Sequence, residues 1–111
     1  MAVHDPQMLK GVVGLLLLRL IGEQDDYGYA LLVRLQRAGF TELSEGTVYP
    51  ALARLEAAGY LKAQLVRSAS GPARKYLSLT PDGKAELERA SAAWLALVRA
   101  VSTVIPGREP R

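Results

Sequence analysis

A chain of 111 residues, half of them apolar, is material for one small domain with a modest core, near the size at which partners help stability. It holds no cysteine, which excludes disulfides, thiolate zinc sites and cysteine nucleophiles. The net charge of +3 says little by itself, but residues 1–59 carry five basic and seven acidic side chains, whereas residues 60–76 carry Lys62, Arg67, Arg74 and Lys75 and no acid.

The first predicted helix opens at Asp5-Pro6, where a carboxylate can cap orphan amides and proline suits the first turn, and runs to about Ile21. Its apolar residues, among them Leu9, Val13 and Leu16, occupy every side, so the helix must be covered nearly all round. A second chain is expected to cover part of it. The apolar run from Val12 to Ile21 is broken by Gly14 and Arg19 and is too short to span a bilayer. No signal peptide is read before it, and a cytoplasmic location with no membrane partner is expected.

A turn at Gly22 to Asp26 leads to a second helix from about Tyr27 to Ala38, capped by an aspartate. Ala30, Leu31, Leu35 and Ala38 form its inner stripe, and Arg34 and Arg37 are read as outer. Ser44 is positioned to cap a third helix that stops at Ala58-Gly59. With Val48, Ala51, Leu52 and Leu55 turned inward, its other side presents Gly46, Pro50, Ala53 and Ala57, edged by Thr47, Arg54 and Tyr49. A helix with so thin an outer face can approach another surface closely, as in a DNA major groove. Pro50 allows either a helix that starts later, with Thr47 as cap, or a local bend near Gly46.

Tyr60 to Arg67 and Lys75 to Leu79 are read as strands around a tip at Ser68 to Pro72, forming a hairpin that carries the concentrated basic charge. Thr80-Pro81 opens a last helix that reaches about Val104, before Pro106-Gly107. On it Leu87, Trp94 and Val101 recur at heptad spacing, with Ala90, Leu97 and Val104 between them. Leu9, Val13, Leu16, Leu87, Trp94, Leu97 and Val101 are therefore the expected interface of a homodimer built from both ends of the chain.

The fold class expected is α+β, mainly α: a winged helix-turn-helix over residues 1–80, a dimerisation helix over 81–106 and a flexible tail over 107–111. In that architecture the third helix enters the major groove of double-stranded DNA and the wing reaches the flanking backbone. Candidate DNA contacts are Ser44, Thr47, Tyr49, Pro50, Arg54, Arg67, Arg74 and Lys75. Ser44 is first a cap and second a phosphate ligand. Tyr49 is either a packing residue or a contact, and Arg54 either pairs with an acid such as Glu56 or binds phosphate. Arg67, Arg74 and Lys75 have nothing acidic nearby in sequence to neutralise them.

No metal-ligand cluster, phosphate-cradling glycine loop or nucleophile with its base occurs, so neither an enzyme nor a cofactor is expected. The single histidine, His4, reads as solvated. A winged-helix adaptor docking onto protein through the same thin helix is the alternative, and the basic wing weighs against it.

Five blocks carry a family resemblance: Lys10-Gly11, Tyr27-Gly28-Tyr29, the run from Gly46 to Glu56, Gly71 to Tyr76, and Leu79-Thr80-Pro81-Asp82-Gly83. In this order they resemble PadR-type transcriptional regulators of the compact kind with a single C-terminal helix. The resemblance implies a bacterial homodimeric repressor of a pseudo-palindromic operator, commonly released by a small, often aromatic, ligand. Thr47, Tyr49 and Pro50 match its recognition helix, and Arg74 and Lys75 its wing. Trp94 is the residue on which a flat ligand would stack between protomers, its alternative role being plain interface packing. Ala30, Ala73 and Leu77 depart from the family pattern, which implies a wing that holds phosphate more weakly.

Overall fold

The computed structural model describes residues 4–107. Along the chain run α1 (Pro6–Glu23), β1 (Asp26–Tyr27), α2 (Gly28–Arg37), α3 (Glu45–Ala57), β2 (Leu61–Ser68), β3 (Gly71–Leu79) and α4 (Pro81–Val104). The result is a mainly helical α+β fold with one antiparallel sheet in the order β1-β3-β2. Residues 108–111 of the expected tail lie outside the described residues.

Helix α1 starts as its sequence dictates: the Asp5 carboxylate accepts from the amides of Gln7 and Met8 at 2.9 and 3.0 Å. Its Leu9, Val13, Leu17, Leu18 and Ile21 are buried with Leu31, Leu32, Leu35, Leu43, Val48, Ala51, Leu52, Leu61 and Leu77. Two expectations change here. Leu9 and Val13 belong to the protomer's own core, and Leu16 is partly buried against it, because α2, α3, β3 and α4 all pack on α1. His4 is not simply solvated, since its ring stacks on Phe40 at 4.8 Å and its Nδ1 meets a Glu42 carboxylate oxygen at 2.8 Å. The backbone amide of Glu42 itself, and then His4, hold that carboxyl below its ordinary range.

Asp26 does not cap α2. It lies in β1, pairing with Leu77 while Tyr27 pairs with Tyr76, and its buried carboxylate meets Arg34 at 3.2 Å and the Tyr27 amide at 3.0 Å. The guanidinium of Arg34 therefore folds inward, also reaching Glu23 at 3.2 Å and the Leu20 carbonyl at 3.3 Å, rather than pointing outward. Position 27 caps α2 without a side-chain bond. Leu32 joins Leu31 and Leu35 on the buried stripe, while Ala38 is exposed beyond the last turn.

Both expected stops hold: Gly39 and Gly59 adopt φ of +111° and +87°, the left-handed region in which a side chain is strained. The hairpin turns at Ala69-Ser70, tighter than the tip read from sequence, with Ser68 facing Gly71 and an irregularity between Val66 and Ser68. The Thr80 hydroxyl accepts from the Gly83 amide at 2.9 Å, which fixes the start of α4. Leu87 is half-buried near Gly22 and Leu79, whereas Trp94, Leu97, Val101 and Val104 are exposed farther along the helix.

Candidate nucleic-acid interface

Helix α3 is continuous from Glu45 through Pro50 to Ala57, so the later start with Thr47 as cap is not adopted. Pro50 forgoes one helical hydrogen bond, and Gly46 stands one turn before it, where the pyrrolidine ring crowds the backbone most. Ser44 occupies the N-cap position, but its hydroxyl caps nothing; its carbonyl accepts from Thr47 and Val48 at 3.1 and 3.0 Å. Val48, Ala51 and Leu52 are buried and Leu55 is half-buried, which leaves Gly46, Thr47, Tyr49, Pro50, Ala53, Arg54 and Ala57 exposed on the outer side.

Tyr49 leans on the start of α2. A β-carbon on Gly28 would fall 2.6 Å from Cε1 of the Tyr49 ring, so the glycine of the Tyr27-Gly28-Tyr29 block provides the seat for this tyrosine. Burial pushes the Tyr49 phenol pKa up, followed by the nearby Glu45 carboxylate and Tyr29. Packing is thus a real part of its role, although 41% of the residue stays exposed on the outer face.

Two of the four hairpin cations have partners that the sequence did not reveal. The Arg74 guanidinium lies 4.6 Å from the centre of the Tyr27 ring and donates to its hydroxyl at 3.0 Å. Lys75 Nζ meets the Glu56 carboxylate of α3 at 2.9 Å, so the expectation that nothing acidic neutralises it is corrected. Arg67, near the tip, is exposed and has no acidic partner among the described residues. Arg54 does not pair with Glu56, which is taken by Lys75.

A cleft flanks each edge of α3. Between α3 and the wing, a cavity of about 360 Å³ is lined by Tyr27, Tyr49, Ala53, Glu56, Arg74 and Lys75, among others. Between α3 and α1, one of about 340 Å³ is lined by Lys10, Val13, Gly46, Thr47, Pro50 and Arg54. Of the residues named from sequence, Thr47, Tyr49, Pro50, Arg54, Arg74 and Lys75 come together in the clefts beside α3, whereas Ser44 and Arg67 line neither, and Trp94, Leu97 and Val101 lie apart on α4. Lys10 lines the second cleft without having been named as a candidate contact from sequence; its only signal there was its place in the Lys10-Gly11 block.

No helix of the described residues is long and apolar enough to cross a membrane. A family model described as the transcriptional regulator PadR-like family matches residues 17–89. The crystal structure of a PadR-like transcriptional regulator from Bacillus cereus is 36% identical, covering 92% of this chain and 99% of that one with a TM-score of 0.82. A Streptococcus transcriptional regulator is 35% identical over 90% of this chain and 98% of its own, with a TM-score of 0.81. A PadR-like transcription factor from Bacteroides fragilis is 33% identical over 88% and 94%, with a TM-score of 0.76. With its thin-faced third helix and basic wing, the chain belongs to the PadR-like family and is a transcriptional regulator rather than an enzyme.

Proposed function

We propose that this regulator is a sequence-specific, double-stranded-DNA-binding repressor that works in the cytoplasm as a homodimer and is released by a small, planar ligand. Residues 1–80 supply the reading head, with α3 in the major groove and the wing along the flanking backbone. Residues 81–106 join the protomers. The observation that carries this reading is the exposed outer side of α3, small in its middle and edged by Thr47, Tyr49 and Arg54, held between cation-bearing clefts. Dimerisation is supported by the apolar residues that α4 leaves in water: Trp94, Leu97, Val101 and Val104 at helical spacing along one chain. Two such helices bring two reading heads to the half-sites of a pseudo-palindrome.

Gel shifts on DNA from upstream of the protein's own gene, with sedimentation of the free protein, test the reading. A dimer at micromolar concentration and a retarded, sequence-selective complex are expected; a monomer, or no preference over competitor DNA, would overturn it. For the ligand, quenching or shifting of the single Trp94 emission by planar aromatic compounds, together with loss of the gel shift, is the expected result. An unresponsive Trp94 across such compounds removes that part of the proposal.

A further inference from the structure

A helix lying in a major groove has a phosphate backbone on each side, so a reading head needs anchors along both edges. The wing supplies one edge of α3. On the other edge the cleft between α1 and α3 brings Lys10 and Arg54 to one opening, with the Thr47 hydroxyl beside them and Val13 and Pro50 as apolar wall. Neither cation has an acidic partner among the described residues, and the carboxylate of Glu42 is engaged by His4. Two unneutralised cations converging on one opening repel each other, and an anion between them removes that cost. The contrast with the wing cleft, where Glu56 already occupies Lys75, is direct.

We infer that Lys10, on α1, is a DNA-backbone anchor, and that with Arg54 it seats one phosphate on the strand opposite the one the wing follows. The inference rests on the DNA-binding reading above and deepens it by assigning a second phosphate seat. Thr47 donates to the same phosphate or its neighbour. The contact is blind to base sequence and acts by releasing condensed counterions.

The test is binding of the full chain to a labelled mixed-sequence duplex of about 30 base pairs, long enough for two half-sites, across a salt series. Lys10→Gln is expected to reduce the slope of log affinity against log salt by up to about 0.9 for each bound protomer, the value of one whole phosphate, which is at most about eightfold weaker binding per protomer at 0.1 M salt. Arg54→Gln behaves alike, and the double variant loses less than the sum of the two because both side chains serve one phosphate. Lys84→Gln removes the same charge from α4, away from both clefts, and leaves the slope unchanged. Lys10 is exposed and holds no partner, so its variant should melt with the wild type. A wild-type slope in Lys10→Gln, or full additivity with Arg54→Gln, overturns the shared seat while DNA binding stands. A wild-type protein that binds no duplex sinks the broader reading and this one with it.

Discussion

Replacing Gly83 by alanine sets helix propensity against a backbone collision, and the distances decide the sign. Propensity alone favours alanine by about 1 kcal/mol. Gly83 is buried in the first turn of α4, however, and a β-carbon there would lie 2.0 Å from the carbonyl oxygen of Tyr60. A carbon and a carbonyl oxygen rest no closer than about 3.3 Å, so α4 or the base of the hairpin must retreat by roughly 1.3 Å. No flexible side chain can yield instead. The Tyr60 carbonyl also accepts from the Thr80 amide at 3.0 Å, and the Thr80 hydroxyl, which caps α4, donates to the Gly59 carbonyl at 2.6 Å. Overpacking of this kind costs about 1–3 kcal/mol and a stretched hydrogen bond about 1 more, which outweighs the propensity gain and leaves a net loss of roughly 1–3 kcal/mol. For a chain of this length each kcal/mol is worth about 4 °C, so the melting temperature should fall by roughly 4–12 °C. Circular dichroism melts at matched protein concentration, needed because association shifts the midpoint, provide the measurement. Gly11→Ala is the counterpart: nothing lies within 4 Å of its β-carbon position in α1, so propensity should prevail and the melt should rise. A Gly83→Ala protein as stable as the wild type would refute the close docking of α4 on the hairpin base.

Glu56→Gln should release Lys75 from its 2.9 Å partner and remove an acid from the wing-side cleft. Duplex DNA binding should tighten, with a salt slope steeper by about 0.9 per protomer in anisotropy titrations; weaker binding would instead mean that the pair holds the wing in position. Asp26→Ala leaves Arg34 with Glu23 and the Leu20 carbonyl but removes its most buried partner and the acceptor of the Tyr27 amide. A loss of about 1–3 kcal/mol is expected in urea unfolding, and a stability unchanged by the substitution would count against the inward guanidinium. Tyr49 should ionise above its ordinary value of 10.0 in the folded protein. Because that pKa is raised on folding, its contribution to stability is complete below the unfolded value and is lost as pH rises through the folded one. Spectrophotometric titration of wild type against Tyr49→Phe should show a phenol that ionises above 10.0 disappear.

What the sequence disclosed was local. The Asp5 and Thr80 caps, the stops at Gly39 and Gly59, and the outer side of α3 each follow from residues within a few turns of one another, where spacing and capping chemistry act directly. What it hid was tertiary. A two-residue strand has no periodicity to betray it, and β1 exists only because Asp26 and Tyr27 meet Leu77 and Tyr76 some fifty positions later. The all-round apolar character of α1 invited a second chain, yet α2, α3, β3 and α4 of the same protomer cover Leu9 and Val13; the longest run of exposed apolar side chains among the described residues is on α4 instead. Charge partners were hidden most completely, because a long side chain selects its counter-ion across folded space. Lys75 finds Glu56 nineteen residues back, and Arg34 turns in toward Asp26 although its helical position reads as outer. That selection redistributes the basic charge on which a reading of the hairpin alone depends. With Lys75 neutralised by Glu56, the wing keeps Lys62, Arg67 and Arg74 without an acidic partner among the described residues, and Lys10 and Arg54 add unpaired positive charge on the other edge of α3.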